Sequence, residues 1–258
     1  MKLFRSFCWI FAFGFAVVLP KAKAVTAPSL PPLDTVIQRV MQTSADENSE
    51  YHIFNQHYYY TRDRVTDFRD GSGTLKEHEE KWSTNNPVHV MIMNHPRPVV
   101  RPVSLSKQEP TPSIHGVNLG KKEDLLNPDL LKRYKLTMVG REMLNGRPAL
   151  VVDFKPVSDD LPIFNIKDRF LNCVAGRAWV DEGDYQLEKV DIHLTKKVTV
   201  LGGIVGSVSK FTFSFDRERT PDGYWFTRDM DWHLEAHEAT IPRVVDHSEK
   251  VTSLQKMP

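Results

Sequence analysis

Short turn motifs that separate alternating apolar and polar stretches constrain the fold of this chain more than any other feature of its sequence. Four such motifs occur, at Asp70-Gly71-Ser72-Gly73, Asn145-Gly146, Glu182-Gly183-Asp184 and Asp222-Gly223. Asn-Gly and Asp-Gly supply the positive φ angles that tight hairpins need. Since a hairpin places neighbouring stretches of the chain side by side, the sequence predicts an antiparallel meander.

Apolar side chains in these stretches fall at every second position and therefore on one face of each predicted strand. Three such sets are Leu150, Val152 and Phe154; Val190, Ile192 and Leu194; and Phe211, Phe213 and Phe215. Strands of this kind, stacked side by side, form a continuous apolar surface. We therefore expect a mainly β fold, an incomplete antiparallel β-barrel or strongly curved sheet, with one or two covering helices.

The cover is predicted near the start of the folded part of the chain. Leu33, Val36, Ile37, Val40 and Met41 recur at helical spacing, which predicts a helix of about three turns. The stretch KKEDLLNPDLLKRY is a second helical candidate, in which Pro128 can begin a short separate turn.

The N-terminus has the pattern of a secretory signal peptide. A short basic start precedes an apolar run of about 14 residues, and Ala22-Lys23-Ala24 offers small residues for cleavage after Ala24. We expect a signal peptide over residues 1–24, a proline-rich leader over 25–32 and one β domain over 33–258; a retained N-terminal anchor is the alternative. Cleavage would leave 30 basic against 33 acidic residues, a net charge of −3.

The glycine-rich stretch VTVLGGIVGSVSKFTFSF lacks what a phosphate-binding loop requires. The lysine does not follow the last glycine, and a strand pattern rather than a helix comes next. Leu201, Ile204 and Val205 are too apolar for an ordinary solvated loop. We expect them either to pack on the core or to form a mobile apolar lip on a cavity.

The remaining candidate sites do not indicate catalysis, a metal ion or a cofactor. Asp229, Asp231, His233 and Glu235 alternate along a predicted strand, which favours a solvated sheet face over a metal site. Cys173 lies among apolar residues and favours a buried structural role. The expected export and negative mature charge argue against nucleic-acid binding.

The stretches LTMVGREMLNGRPALVVDFKP, GRAWVDEGDYQLEKVDIHL and GSVSKFTFSFDRERTPDGYWFTRDMDWHLEA together resemble the LolA-like outer-membrane lipoprotein-sorting family, in an uncharacterised bacterial exported branch. The likeness covers roughly residues 130–240. It implies an incomplete barrel with a helical lid and an apolar cavity that holds lipoprotein acyl chains during transport across the periplasm. The segment Pro96–Gly120, which holds five prolines, departs from the short sorting protein.

These observations predict a periplasmic, non-catalytic carrier or chaperone that binds a lipid or a lipoprotein acyl chain. The predicted lining is Leu150, Val152, Phe154, Val190, Ile192, Leu194, Phe211, Phe213 and Phe215, and the predicted lid and lip are Val36, Ile37, Val40, Leu201, Ile204 and Val205. Three alternatives stay open. These residues can fill a core with no cavity; the protein can be an assembly partner in an envelope complex; or distant strands can form a hydrolase site around His193 or His233.

Overall fold

The computed structural model describes residues 29–87, 113–114, 117–118, 128–164, 166–200, 206–238 and 241–258. The predicted signal peptide lies outside the described residues, and so does most of the proline-rich segment Pro96–Gly120. The predicted lip residues Leu201, Ile204 and Val205 also lie outside them.

The described residues form three helices and twelve strands. The helices are α1 (Leu33–His57), α2 (Pro128–Leu131) and α3 (Ile166–Leu171). The strands are β1 (Tyr58–Asp70), β2 (Leu75–Asn85), β3 (Ser113–Ile114), β4 (Val117–Asn118), β5 (Tyr134–Leu144), β6 (Arg147–Pro156), β7 (Val174–Asp181), β8 (Leu187–Leu194), β9 (Val198–Val200), β10 (Gly206–Arg219), β11 (Trp225–Glu238) and β12 (Ile241–Lys256).

Ten of these strands form one antiparallel sheet. Its order is β2-β1-β12-β11-β10-β8-β7-β6-β5, with β9 paired to β10, and β3 and β4 pair separately. β2 and β5 are the two ends of this order, so the sheet is not closed into a barrel. The prediction of a mainly β, incompletely closed antiparallel fold is confirmed.

The turn motifs form hairpins with the backbone angles that their residues favour. Between β5 and β6, Asn145 has φ 47° and Gly146 has φ 80°, both in the left-handed region where asparagine and glycine are the favoured residues. Gly223, between β10 and β11, has φ 104°. The four turn motifs therefore fix four of the nine strand pairings of this sheet.

The covering helix is much longer than the sequence pattern predicts. α1 has 25 residues rather than about three turns. The prediction ended too early because residues 42–50 are mostly polar and carry no apolar periodicity. The helix continues because Phe54, only 1% exposed, packs into a second cluster with Tyr58, Tyr60 and Phe226.

Most of the core lies on one face of the sheet, which we call the inner face, and α1 packs against it at both ends; Ala149, Val151 and Trp179 form a separate buried cluster on the opposite face. Near its N-terminus, Val36 and Val40 contact Leu150 and Val180. Near its C-terminus, the Phe54 ring lies parallel to that of Phe226, with ring centroids 5.2 Å apart. The middle of the inner face, between these contacts and the short helices α2 and α3, is where the candidate site lies.

Candidate functional site

An apolar cavity opens between α1, the inner face of the sheet and the two short helices. It has a volume of about 180 Å³. The lining comes from α1, α2, α3 and strands β5, β6, β7, β8 and β10. Apart from Tyr134, all lining side chains are hydrocarbon or thioether groups.

Most of the predicted lining residues surround this cavity. Those that do are Val152, Phe154, Val190, Ile192, Phe211, Phe213 and Phe215, together with Val36, Ile37 and Val40 of the predicted lid. Leu150 lies instead directly beneath Val36 and Val40 and is fully buried. Leu194 packs at the other end, beside the cluster that contains Phe170 and Phe211.

One end of the cavity is closed by residues that sequence reasoning missed. α2 contributes Leu130 and Leu131, and α3 contributes Phe170 and Leu171. The Tyr134 hydroxyl donates a hydrogen bond to the carbonyl oxygen of Leu171 at 2.7 Å, and its burial raises the pKa of that phenol. The turn beginning at Pro128 was predicted, but its Leu130 and Leu131 were not assigned to the lining. α3 has only six residues, too few for a reliable periodicity.

The polar atoms around α1 hold the helix over the cavity. Thr43 Oγ1 donates to the carbonyl oxygen of Tyr185 at 2.9 Å, and the Arg39 guanidinium lies 6.0 Å from the centre of the Tyr185 ring. α1 passes into β1 at Tyr58 without a loop, whereas its N-terminus begins after Pro32. The end of α1 that covers the cavity is therefore the end farther from its connection to the sheet.

A glycine on the inner face makes room for one of the lining rings. Gly176 pairs with Phe154 across β7 and β6. A Cβ atom at Gly176 would lie 2.6 Å from Phe154 Cζ and would also clash with the carbonyl oxygen of Asp191. The absence of a side chain at this position therefore allows Phe154 to lie flat against β7 at the cavity wall.

The opposite face of the sheet, the outer face, carries a second and polar concavity of about 620 Å³. Its lining includes Asp191, His193, Asp231, His233 and Asp246. His233 does contact carboxylates, as a hydrolase site would require: Nδ1 lies 2.6 Å from Asp246 and Nε2 lies 3.1 Å from Glu235. Both ring nitrogens of His233 therefore face carboxylates.

A similar pair joins the two strands at the edge of the outer face. His78 Nδ1 lies 2.6 Å from Asp67, and Arg69 contacts both Asp67 and Asp246. The hydrogen bond with His78 lowers the pKa of Asp67, and Asp67 in turn raises the pKa of His78. Together with the pair between His233 and Asp246, these ion pairs connect β2, β1, β12 and β11.

In the described part of the chain, no group of three or more His, Cys, Asp or Glu side chains is arranged to hold a metal ion. Within the same residues, no helix is both long and apolar enough to cross a membrane. Cys173 is free and buried, and burial raises the pKa of its thiol.

No protein-family model and no curated protein matches this chain. Among solved structures, it is similar to a domain of Vibrio parahaemolyticus described as an outer-membrane lipoprotein-sorting protein, with 10% identity and a TM-score of 0.32 over 86% of this chain and 93% of that one. A DUF1329 family protein of Desulfovibrio piger has 12% identity and a TM-score of 0.31 over 88% and 94%.

A LolA superfamily protein of Nitrosomonas europaea is also similar, with 8% identity and a TM-score of 0.27 over 82% of this chain and 94% of that one. The descriptions of two of these three structures name the lipoprotein-sorting or LolA group that the sequence resembles. Similarity at this level transfers neither a ligand nor a partner.

Proposed function

We propose that this protein is a non-catalytic binding or carrier protein of the bacterial envelope, and that its cavity takes up the acyl chain of a lipid or a lipoprotein. The single observation that supports the proposal is the open apolar cavity under α1. Several of its lining side chains, among them Phe154, Ile192 and Phe213, are only partly buried. Partly exposed apolar groups around one opening favour an apolar ligand over water.

The size of the cavity limits how such a ligand is held. An apolar cavity of about 150 Å³ takes up a molecule as small as benzene, whereas drug-sized ligands occupy roughly 300–1,000 Å³. At about 180 Å³, the cavity is therefore large enough for a segment of one acyl chain. The rest of the chain would lie in the open mouth, and α1 would move outward to admit a longer one.

The sequence pattern of the N-terminus supports a location in the cell envelope within this proposal. The basic and apolar N-terminal residues have the pattern of a signal peptide, and a carrier of acyl chains is needed where such chains cross water between two membranes. Affinity would come from apolar burial, at roughly 25 cal/mol per Å² before the costs of ordering.

The test fills the cavity and leaves the rest of the sheet unchanged. Ala178 on β7 is half-buried and lines the cavity, so Ala178→Phe places a ring inside it. We expect the wild type, purified from its own envelope, to carry lipid in native mass spectrometry and to take up a fluorescent fatty acid. Ala178→Phe should reduce that uptake roughly tenfold because the ring occupies space that the ligand needs.

Thr212→Phe is the matched control, because it adds a similar ring at an exposed position on the outer face. It should leave uptake unchanged. A wild-type protein that carries no lipid and takes up no fatty acid would overturn the proposal. Equal uptake by Ala178→Phe and the wild type would place the ligand elsewhere.

A further inference from the structure

The loop between β6 and α3 exposes apolar side chains beside the closed end of the cavity. Among the described residues, Phe164 has the largest exposed fraction of any large apolar side chain, 83%, and its neighbour Ile163 is 49% exposed. Val157, at the start of the loop, is 51% exposed. We call Ile163 and Phe164 the apolar tip.

The apolar tip is held in place by hydrogen bonds at its base. The side chain of Asn172, 4% exposed, donates to the carbonyl oxygens of Leu161 and Pro162 at 3.1 and 3.4 Å. Arg133 donates to the Pro162 carbonyl at 3.0 Å. Exposure of the tip is therefore a property of a fixed loop conformation.

Phe164, the second residue of the apolar tip, is also held by a hydrogen bond. The backbone N–H of Phe164 donates to Asp168 Oδ2 at 3.0 Å, and Asp168 is itself paired with Arg133 at 3.3 Å. Arg133 and Asn172 lie within two residues of the ends of α2 and α3, the helices that contribute Leu130, Leu131, Phe170 and Leu171 to the cavity. The apolar tip is thus anchored beside the cavity end that these helices form.

Basic residues are in excess around the tip. The segments 128–135, 157–164, 166–172 and 195–199 carry seven basic residues against four acidic ones, a net charge of +3. Since the whole chain has a formal net charge of +1, the rest of the chain carries −2. Ion pairs such as Lys196 with Asp159, 2.8 Å apart, connect the segments.

From this arrangement we infer that the apolar tip and the basic residues around it form a docking surface for an anionic phospholipid bilayer. Apolar side chains inserted at the level of the headgroups and nearby basic residues are the two attractions that bring a protein to such a surface. Docking here places the cavity end formed by α2 and α3 next to the bilayer. The inference rests on the proposed function only for the reason why the protein would dock. The docking itself does not depend on that function.

The test is co-flotation with vesicles of phosphatidylethanolamine and phosphatidylglycerol. Phe164→Ser should weaken the partitioning of the protein to these vesicles roughly tenfold, since burial of a Phe side chain is lost. Met143→Ser is the matched control, because Met143 is 67% exposed at the far end of β5. Its flotation should equal that of the wild type. All variants have the same N-terminal segment, so any contribution of that segment to vesicle binding is equal among them.

Flotation of Phe164→Ser at the wild-type level would overturn the docking surface, as would a wild type that stays unbound. Equal binding of the wild type to neutral phosphatidylcholine vesicles would overturn the choice of an anionic bilayer. Capture of a protein through Phe164 without vesicle binding would assign the tip to a protein partner instead.

Two further measurements separate this inference from the proposed function. Phe164→Ser should still take up fatty acid from solution, because the tip does not line the cavity. Ala178→Phe should still float with vesicles. If uptake fails in every variant while flotation depends on Phe164, the carrier function is lost and the docking surface stands.

Discussion

At the scale of single residues, Gly176 shows how one missing side chain shapes the cavity wall. We predict that Gly176→Ala lowers the free energy of unfolding by about 2 kcal/mol, because the added methyl group overlaps backbone and ring atoms that cannot both move away. The overlap involves the Asp191 carbonyl oxygen and the Phe154 ring. Urea denaturation measures the change.

Gly140 in β5 provides the matched control for this substitution. A Cβ atom there would meet nothing within 4 Å, so Gly140→Ala should be neutral or slightly stabilising. Equal effects of the two substitutions would contradict the steric explanation and leave only the general cost of replacing glycine.

Glu188 is a buried carboxylate with an incomplete set of partners. Its residue is 1% exposed, and Asn145 Nδ2 donates to Oε1 at 3.2 Å. Oε2 has no hydrogen-bond partner among the residues that the structure describes. Burial, with a smaller contribution from the Asp181 charge, raises the pKa of Glu188 above its ordinary 4.5.

A raised pKa means that the folded protein binds this proton more tightly than the unfolded chain does. The ionised carboxylate therefore destabilises the fold at pH 7, and the penalty disappears as the pH falls through the raised pKa towards 4.5. We predict that Glu188→Gln raises the free energy of unfolding at pH 7 by about 1 kcal/mol. Denaturation at pH 7 and near pH 4 measures both values; a gain that is equal at the two pH values would contradict the titration of Glu188 as the cause.

At the scale of elements, the strands were predictable and the helices were less so. Alternation and the Asn145-Gly146 and Asp222-Gly223 turns are local signals, so hairpin partners follow from the sequence alone. The length of α1 depends on Phe54, whose ring stacks with centroids 5.0 Å from Tyr58 and 5.5 Å from Tyr60. The polar residues between Met41 and Tyr51 conceal that anchor from a search for apolar periodicity.

The cavity lining was predictable only in part, and from the same local signal, the alternation of apolar and polar residues along each strand. Alternation assigned the inner faces of β6, β8 and β10, but it could not tell which inner residues lie under a helix. Leu150 is covered by Val36 and Val40, and Leu194 lies within the cluster near α3. α3 itself, in which Phe170 is the fifth of six residues, has too little pattern to predict.

At the scale of the whole molecule, α1 has two roles that oppose each other. Its N-terminal part completes the core through Val36 and Val40, which are 1% and 6% exposed. The same part covers the cavity, so a ligand larger than the cavity would displace it. The Phe54 cluster, which does not line the cavity, can stay packed during that displacement. Opening therefore need not unfold the sheet.

This arrangement predicts how a ligand changes the stability of the molecule. A bound acyl chain that replaces empty space with apolar contacts stabilises the native state, by about 2.7 kcal/mol when its free concentration is about a hundredfold above Kd. We predict this increase in denaturation of the wild type with a short-chain fatty acid. Hydrogen exchange should show slower exchange of α1 amides between Leu33 and Met41, with little change near Phe54.

Ala178→Phe provides the comparison for this last prediction, because the added ring removes the space that the ligand would fill. Its stability should not depend on the fatty acid, and the amides at the start of α1 should exchange equally with and without it. If the variant is stabilised as much as the wild type, the fatty acid binds at another surface. If exchange slows near Phe54 instead, the end of α1 that moves is the end joined to β1. Outward movement of the N-terminal part of α1, which carries Val36 and Val40, would then be wrong.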